Sequence, residues 1–471
     1  MTKSLLARCR CAALLALVAL SLASAPAAAQ RPSSAMLQRT VDSLVAAAIA
    51  DGPMAAMSVA VVRGRDTVVA KGYGFADLEN DVPATAFTVH RIGSITKQFT
   101  AAAVMQLVEQ GKLSLDDSIG ATLTNLPAAW RPVPVRQLLN HTSGIPSYTS
   151  AGERWLSKMR LDLPHDSLLA IVAGDSMDFR PGTTWRYNNT GYYLLGMLIE
   201  RVSGQPYDAY LEARQFAPLG LKGTMYCHTT PIIKHRAHGY QVGAGRKLVN
   251  ADPLSMGQPF AAGSLCSTVG DLVAWQRALA DGRVVSAASY RAMTTPEGAA
   301  VARRYGYGLG ADTLAGHRRV QHGGGINGFN AMLAYYPDDT LSVVVLGNTN
   351  GPWVDRVADN IGRAALGAPL VSPPQAPRDV ATTPEQRKRY AGTYRLALPG
   401  GKPLDVRIFE QDGTLMMQGA GQGAVPLLYQ GDETFRVSFD PGLRLTMAPG
   451  TPAPKATLVQ GGATMEAPRV R

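Results

Sequence analysis

The chain of 471 residues predicts a mixed α/β region followed by a small antiparallel β-domain. Three observations carry that expectation. The chain opens on a helix-then-hairpin pattern. A largely apolar helix begins at Ser94. Beyond a Pro-rich stretch, the apolar residues recur at every second position.

Residues 1–29 stand outside the fold. Lys3, Arg8 and Arg10 precede an apolar run from residue 12 to 25, and Ala27-Ala28-Ala29 precedes Gln30. That is the pattern of a secretory signal cleaved after residue 29, so the mature protein is expected in the periplasm or outside the cell. Its removal takes three basic residues and no acidic ones from a net charge of +11, so the remainder stays positive. The Lys and Arg residues are scattered, and the longest cluster, Arg387-Lys388-Arg389, is too short for a nucleic-acid patch. No later run approaches the ~18 apolar residues of a transmembrane helix. Cys9 and Cys11 leave with the signal. Cys227 and Cys266 remain in an oxidising compartment, and their spacing leaves a disulfide and two free thiols equally open.

From the new N-terminus, Leu37, Val41, Leu44, Val45 and Ala48 give helical spacing over 34–50. Strands at 57–62 and 67–71 follow, joined by the turn Arg63-Gly64-Arg65-Asp66. Ile95, Phe99, Ala102, Ala103 and Leu107 predict a helix over 94–109, closed by Gly111. A second helix over 192–202 ends at Gly204, and strands at 331–336 and 341–346 flank the turn Pro337-Asp338-Asp339. This first domain is assigned to 30–367. Pro369, Pro373, Pro374, Pro377 and Pro384 suit an extended linker, assigned to 368–386. The β-domain takes 387–471, with Leu404/Val406/Ile408, Phe435/Val437/Phe439 and Leu443/Leu445 at period two and a hairpin signal at Asp412-Gly413.

Three motifs carry chemistry. Ser94-Ile95-Thr96-Lys97 places an amine one helical turn from a hydroxyl. A serine is a poor nucleophile until a base takes its proton, and a desolvated lysine amine can do so. The helix start adds N–H groups that favour an oxyanion. Tyr187-Asn188-Asn189 is the single Y-x-N among 17 tyrosines. A tyrosine beside a lysine cation is expected to have a lowered pKa and to shuttle protons. Asn189 can orient Lys97 and donate to a substrate carbonyl. His322-Gly323-Gly324-Gly325 precedes the 331–336 strand, and glycines there let substrate lie close to an edge strand. Elsewhere, His235-Arg236-Ala237-His238 lacks the partners of a metal site, His141 suits a structural hydrogen bond, and Asp271 suits a helix N-terminus.

In this order and spacing the motifs resemble those of the serine β-lactamase and penicillin-binding-protein superfamily, in its class C-like branch of D,D-carboxypeptidases, D-aminopeptidases and esterases. Leu138-Leu139-Asn140-His141-Thr142-Ser143-Gly144, Phe179-Arg180-Pro181-Gly182, Pro218-Leu219-Gly220 and Ala262-Gly263-Ser264 strengthen the likeness. It covers roughly 35–365, while the part from Tyr390 onward resembles the lipocalin-like β-domain often appended to such hydrolases. The resemblance implies an antiparallel sheet flanked by helices, an all-α insertion between the first two motifs and a C-terminal barrel-like domain. It also implies acyl transfer at Ser94, general acid–base work shared by Lys97 and Tyr187, and an oxyanion hole from the N–H groups of Ser94 and Gly325. Asn189, His322, Gly324 and Gly325 would hold the substrate, with no metal or organic cofactor. Which of Lys97 and Tyr187 acts first stays open.

His322 departs from the family pattern, which has lysine there. With a pKa of about 6.5, it is mostly neutral at pH 7 and attracts a carboxylate poorly. The expected substrate is therefore an ester or a D-amino-acid amide or peptide, with cell-wall peptides among the candidates. A class C-like β-lactamase is the nearest alternative, and a non-catalytic peptidoglycan-binding or sensing module is the alternative of another class.

Overall fold

In the computed structural model the described residues are 31–243, 247–372, 379–397, 403–419, 424–437, 442–460 and 463–470. The segment 1–29 with Cys9 and Cys11, Pro373, Pro374 and Pro377 of the Pro-rich stretch, and Phe439 lie outside them.

The main sheet is antiparallel and seven-stranded, in the spatial order Val82–Pro83, Asp66–Asp77, Ala56–Arg63, Leu341–Gly347, Phe329–Tyr336, His317–Ile326 and Gly310–Leu314. Its first strands are β1 (Ala56–Arg63), β2 (Asp66–Asp77) and β3 (Val82–Pro83). The last four are β9 (Gly310–Leu314), β10 (His317–Ile326), β11 (Phe329–Tyr336) and β12 (Leu341–Gly347). Two-residue strands β4 (His90–Arg91) and β5 (Met225–Tyr226) flank β8 (Leu265–Ser267) in a small second sheet. Strands β6 (Tyr240–Val242) and β7 (Leu248–Asn250) form a hairpin.

Strands β1 and β12 sit at the centre of the main sheet and are buried on both faces, which is why they read as continuous apolar runs. Alternate residues serve opposite layers. Val59, Val61, Val343 and Val345 pack with Leu37, Val41 and Val45 of α1 (Ser34–Asp51), and with the helix Trp353–Ala365. Ala60, Val62, Val344 and Leu346 face the other layer, where the helix Val269–Ala280 lies against β1 and β12 and α2 (Thr96–Glu109) belongs to the same core. Every residue of α2 from Thr96 to Leu107 is buried, so this helix threads the larger core. The ring of Phe99 stacks on Trp275 at 3.8 Å. Short helices such as Val135–Leu139 and His165–Leu169 fill the chain between α2 and α3 (Asn189–Ser203), where an all-α insertion is expected.

Helix α3 begins at Asn189 rather than near Tyr192. Asn188 caps it by accepting from the Gly191 N–H at 2.6 Å, a signal with no apolar periodicity to reveal it. Cys227 and Cys266 form a disulfide, Cα–Cα 5.1 Å. The Cα pairing of Met225 with Cys266 across β5 and β8 brings them within reach.

The helix Pro384–Tyr390 lies where the sequence suggests extended chain to residue 386. Thr383 and Gln386 form a capping box, and Pro384 supplies the fixed φ of a first helical residue. Beyond it, eight antiparallel strands between Gly392 and Pro468 pair in sequence order. The bridge between Tyr394 and Arg469 brings the first and last strands together, so the sheet nearly closes into a barrel. The hairpin at Asp412-Gly413 forms with φ of 49° and 76°, the left-handed pair that this turn needs. Phe435, Val437, Leu445 and Leu458 fill the interior.

Candidate active site

Ser94 lies in a 3₁₀ turn (Gly93–Ile95) that leads directly into α2. Gly93 has φ +49°, and a Cβ there would sit 2.9 Å from the Gly325 carbonyl oxygen. A Cβ on Gly324 would meet the Ile92 carbonyl oxygen at 2.0 Å. Two glycines thus let β10 close on the turn that carries Ser94. Strand β9 pairs with β10 only from His317 to Gln321, so residues 322–326 have one free edge, and it faces the cleft. The glycine run therefore does occupy strand edge, through the early end of β9 and not through the overall strand order.

One turn into the helix, Lys97 is fully buried. Its Nζ donates to the Ala262 carbonyl at 2.8 Å and to Asn189 Oδ1 at 2.9 Å, and lies 3.3 Å from Ser94 Oγ. It also stands 4.6 Å from the Tyr187 ring centre. No carboxylate is paired with it among the described residues, and burial pushes its pKa well below the usual lysine value. Asn189, the first residue of α3, turns its amide nitrogen to Thr149 Oγ1 at 3.0 Å. The motif text around 262 acquires a role here, since Ala262 supplies one of the two acceptors that fix the amine.

Tyr187 corrects one expectation. Its hydroxyl is buried beside Ser94 with no hydrogen bond of full geometry among the described residues, and Ser94 is the hydroxyl that pulls its pKa down. Burial is the larger effect and holds the phenol above its ordinary value. The lowering expected from a lysine cation requires that cation, and the same dry surroundings disfavour it.

His322 corrects another. It is 7% exposed; its Nε2 meets Tyr305 Oη at 2.8 Å and its Nδ1 meets the Gly323 carbonyl at 2.5 Å. Burial, then Lys97, lower its pKa to about 4. Both nitrogens are engaged by protein groups, which leaves no free donor or acceptor on His322 for the substrate-holding part expected of it. His141, at φ +62°, accepts from the Asn188 N–H at 3.1 Å and lies 4.3 Å from the Tyr187 ring, a structural place beneath the site.

The cleft is lined by Ser94, Asn189 and Gly325 together with Tyr148, Thr149, Trp155 and Leu254. The last four carry no motif of their own. Tyr148 and Thr149 follow the 138–144 segment closely enough to suggest proximity, whereas Trp155 and Leu254 reach the cleft only through the fold. Asp271 sits in the first turn of the helix Val269–Ala280 and accepts from the Gly223 N–H at 2.7 Å. Among the described residues no three His, Cys, Asp or Glu side chains are grouped to hold a metal ion, and no helix is long and apolar enough to cross a membrane.

The family model described as Beta-lactamase matches residues 41–368. Protein flp of Staphylococcus aureus (strain MW2) is 26% identical over 333 residues, 69% of this chain and 66% of that protein, so the chain spans just under two thirds of that relative's length. A D-stereospecific amidohydrolase from Streptomyces sp. superposes with a TM-score of 0.60 at 29% identity, covering 71% of this chain and 98% of that one. The octameric penicillin-binding protein homologue from Pyrococcus abyssi gives 0.64 at 25% identity, over 91% of this chain and 99% of the other.

Proposed function

Since the chain belongs to the Beta-lactamase family and is a serine hydrolase, we propose that it acts outside the cytoplasm on a D-amino-acid peptide, a D-amino-acid amide or an ester, through an acyl intermediate on Ser94. The observation that carries this reading is the environment of Lys97. Two of its N–H bonds are taken by the Ala262 carbonyl and Asn189 Oδ1, and burial favours the uncharged amine. The lone pair is then left for the Ser94 hydroxyl at 3.3 Å.

In this reading Lys97 takes the Ser94 proton as Oγ bonds to the substrate carbonyl carbon. The N–H groups of Ser94 and Gly325 hold the resulting oxyanion. Tyr187, whose phenol burial keeps protonated, gives its proton to the leaving nitrogen or oxygen as that bond breaks, and the Lys97 ammonium returns a proton to it. Water, deprotonated by the same pair, attacks the acyl ester and releases Ser94. Assigning base to Lys97 and acid to Tyr187 follows from the opposite directions in which burial moves an amine and a phenol.

The D-stereospecific amidohydrolase neighbour supports an amide of D configuration. The buried, uncharged His322 supplies no cation at the place where a β-lactam carboxylate would be met, and that favours amide or ester over β-lactam. Intact-mass spectrometry of the protein and of Ser94→Ala, after incubation with D-amino-acid amides, short acyl esters and a penicillin, tests the reading. A Ser94-dependent acyl adduct or product is expected. Equal turnover by the two proteins would overturn it.

A further inference from the structure

A second pocket adjoins the cleft and shares Asn327 with it. Two guanidinium groups, Arg91 and Arg236, line it together with His238, Asp252 and Phe329. The backbone places them side by side. Arg91 is on β4, and a parallel bridge joins Val89 to Arg236, with the Val89 N–H donating to the His235 carbonyl and the Ala237 N–H to the Val89 carbonyl, each at 2.9 Å. Arg91 lies 5.6 Å from the Phe329 ring centre, half-buried, with no hydrogen bond or carboxylate partner among the described residues. Arg236 donates from Nη1 to the His228 carbonyl at 3.1 Å and is otherwise exposed. The acidic groups nearby are occupied: Asp252 faces Arg160 at 3.6 Å, and Asp77 faces His238 at 3.7 Å. The wall carries two guanidinium groups against the single carboxylate of Asp252, itself 3.6 Å from Arg160, so it keeps an excess of positive charge that an anion would relieve.

The position of this pocket fixes which part of a substrate reaches it. Tyr187, the proton donor to the leaving group, has its ring 6.4 Å from that of His322. The leaving group therefore belongs at the residue-322 end of the β10 edge, and the acyl half runs past Gly325 towards Asn327. We propose that the Arg91/Arg236 pocket binds a carboxylate carried on the acyl half of the substrate. The inference rests on the acyl-transfer reading above and adds a substrate class to it.

The test compares the p-nitrophenyl esters of adipic acid and of adipamic acid, identical except that one ends in a carboxylate and the other in a carboxamide. The protein should favour the carboxylate ester by about tenfold or more in kcat/KM, mainly through KM, as one charge-assisted hydrogen bond allows. Arg236→Gln, an exposed position, and Arg91→Gln should each bring that ratio towards one. A ratio of one in the unmodified protein, or a ratio unchanged in both variants, overturns the subsite while leaving the hydrolase reading intact. Equal turnover of the carboxamide ester by Ser94→Ala overturns the hydrolase reading instead. The subsite is then decided by titrating Ser94→Ala protein with adipamate and adipamide: tighter, arginine-dependent binding of adipamate supports it, and equal binding overturns it.

Discussion

The hydrolase body and the C-terminal barrel are both closed around apolar cores, yet they treat buried polarity in opposite ways. In the body, Lys97, His141, Asn188 and His322 are all less than a tenth exposed and crowd around Ser94. In the barrel no buried polar or charged residue occurs among the described residues, and the interior is Tyr, Leu, Ile, Val, Phe, Met and Ala. All eight histidines and all five tryptophans of the chain precede residue 354. Desolvating a polar group costs free energy unless partners are supplied, so a fold carries such groups where their altered chemistry is used. The barrel carries the stability of a dry core and the body carries the reactivity of a wet one made dry.

That contrast can be broken experimentally, and the largest effect belongs to the nucleophile. Ser94→Ala should lower kcat by about 10⁴-fold or more, and Lys97→Met by about 10³-fold or more, with thermal unfolding of the body near or above that of the parent protein. A variant near parental activity would show that the buried cluster is structural. In the barrel, Phe435→Ala should cost roughly 3–5 kcal/mol of that domain's stability by opening a cavity, while kcat at Ser94 holds within about twofold. Calorimetry beside steady-state kinetics checks this, and a parallel loss of activity would couple the two regions.

A smaller effect sharpens the division of labour within the cleft. Tyr187→Phe keeps the ring over Lys97 and removes only the acidic proton, so kcat should fall about 10²-fold with KM little changed. A change confined to KM would make Tyr187 a binding residue. The last effect is in pH and touches stability alone. His90 and His322 are held near 3 and 4, and His141 is also pushed down by burial. Above pH 6.5 folded and unfolded chains are alike at these sites. Below it the unfolded chain takes protons that the folded body refuses, so the body loses stability from pH 6.5 towards 4, by at most about 1.4 kcal/mol per pH unit for each histidine. Asp355, raised by burial to about 6, works the other way from pH 6 downward and offsets one of the three. Tryptophan fluorescence reports on the body alone, and its urea midpoint should fall between pH 7 and 5.

Much of the site was legible before the fold. Ser94, Lys97, Tyr187 and Asn189 do converge, because a short motif on a helix start or a helix cap constrains its own geometry. The free edge at 322–326 was legible as a glycine run. Trp155 and Leu254 were not, since nothing local to them differs from ordinary core or surface sequence. The helix Pro384–Tyr390 was hidden by the prolines around it, although Thr383 and Gln386 encode its cap.

The sequence by itself determined the chemistry: which hydroxyl, which amine, which phenol, and the period-two pattern that becomes a barrel. These are properties of residue type and of spacing within a few residues. Tertiary structure decided the charge states and the directions. Burial on all sides turned Lys97 towards the neutral amine and Tyr187 towards the protonated phenol, and the fold tied His322 to Tyr305. It paired Cys227 with Cys266 and set Arg236 beside Arg91 across 145 positions of chain. Desolvation and long-range contact depend on everything that surrounds a group, and no local stretch of sequence contains that information.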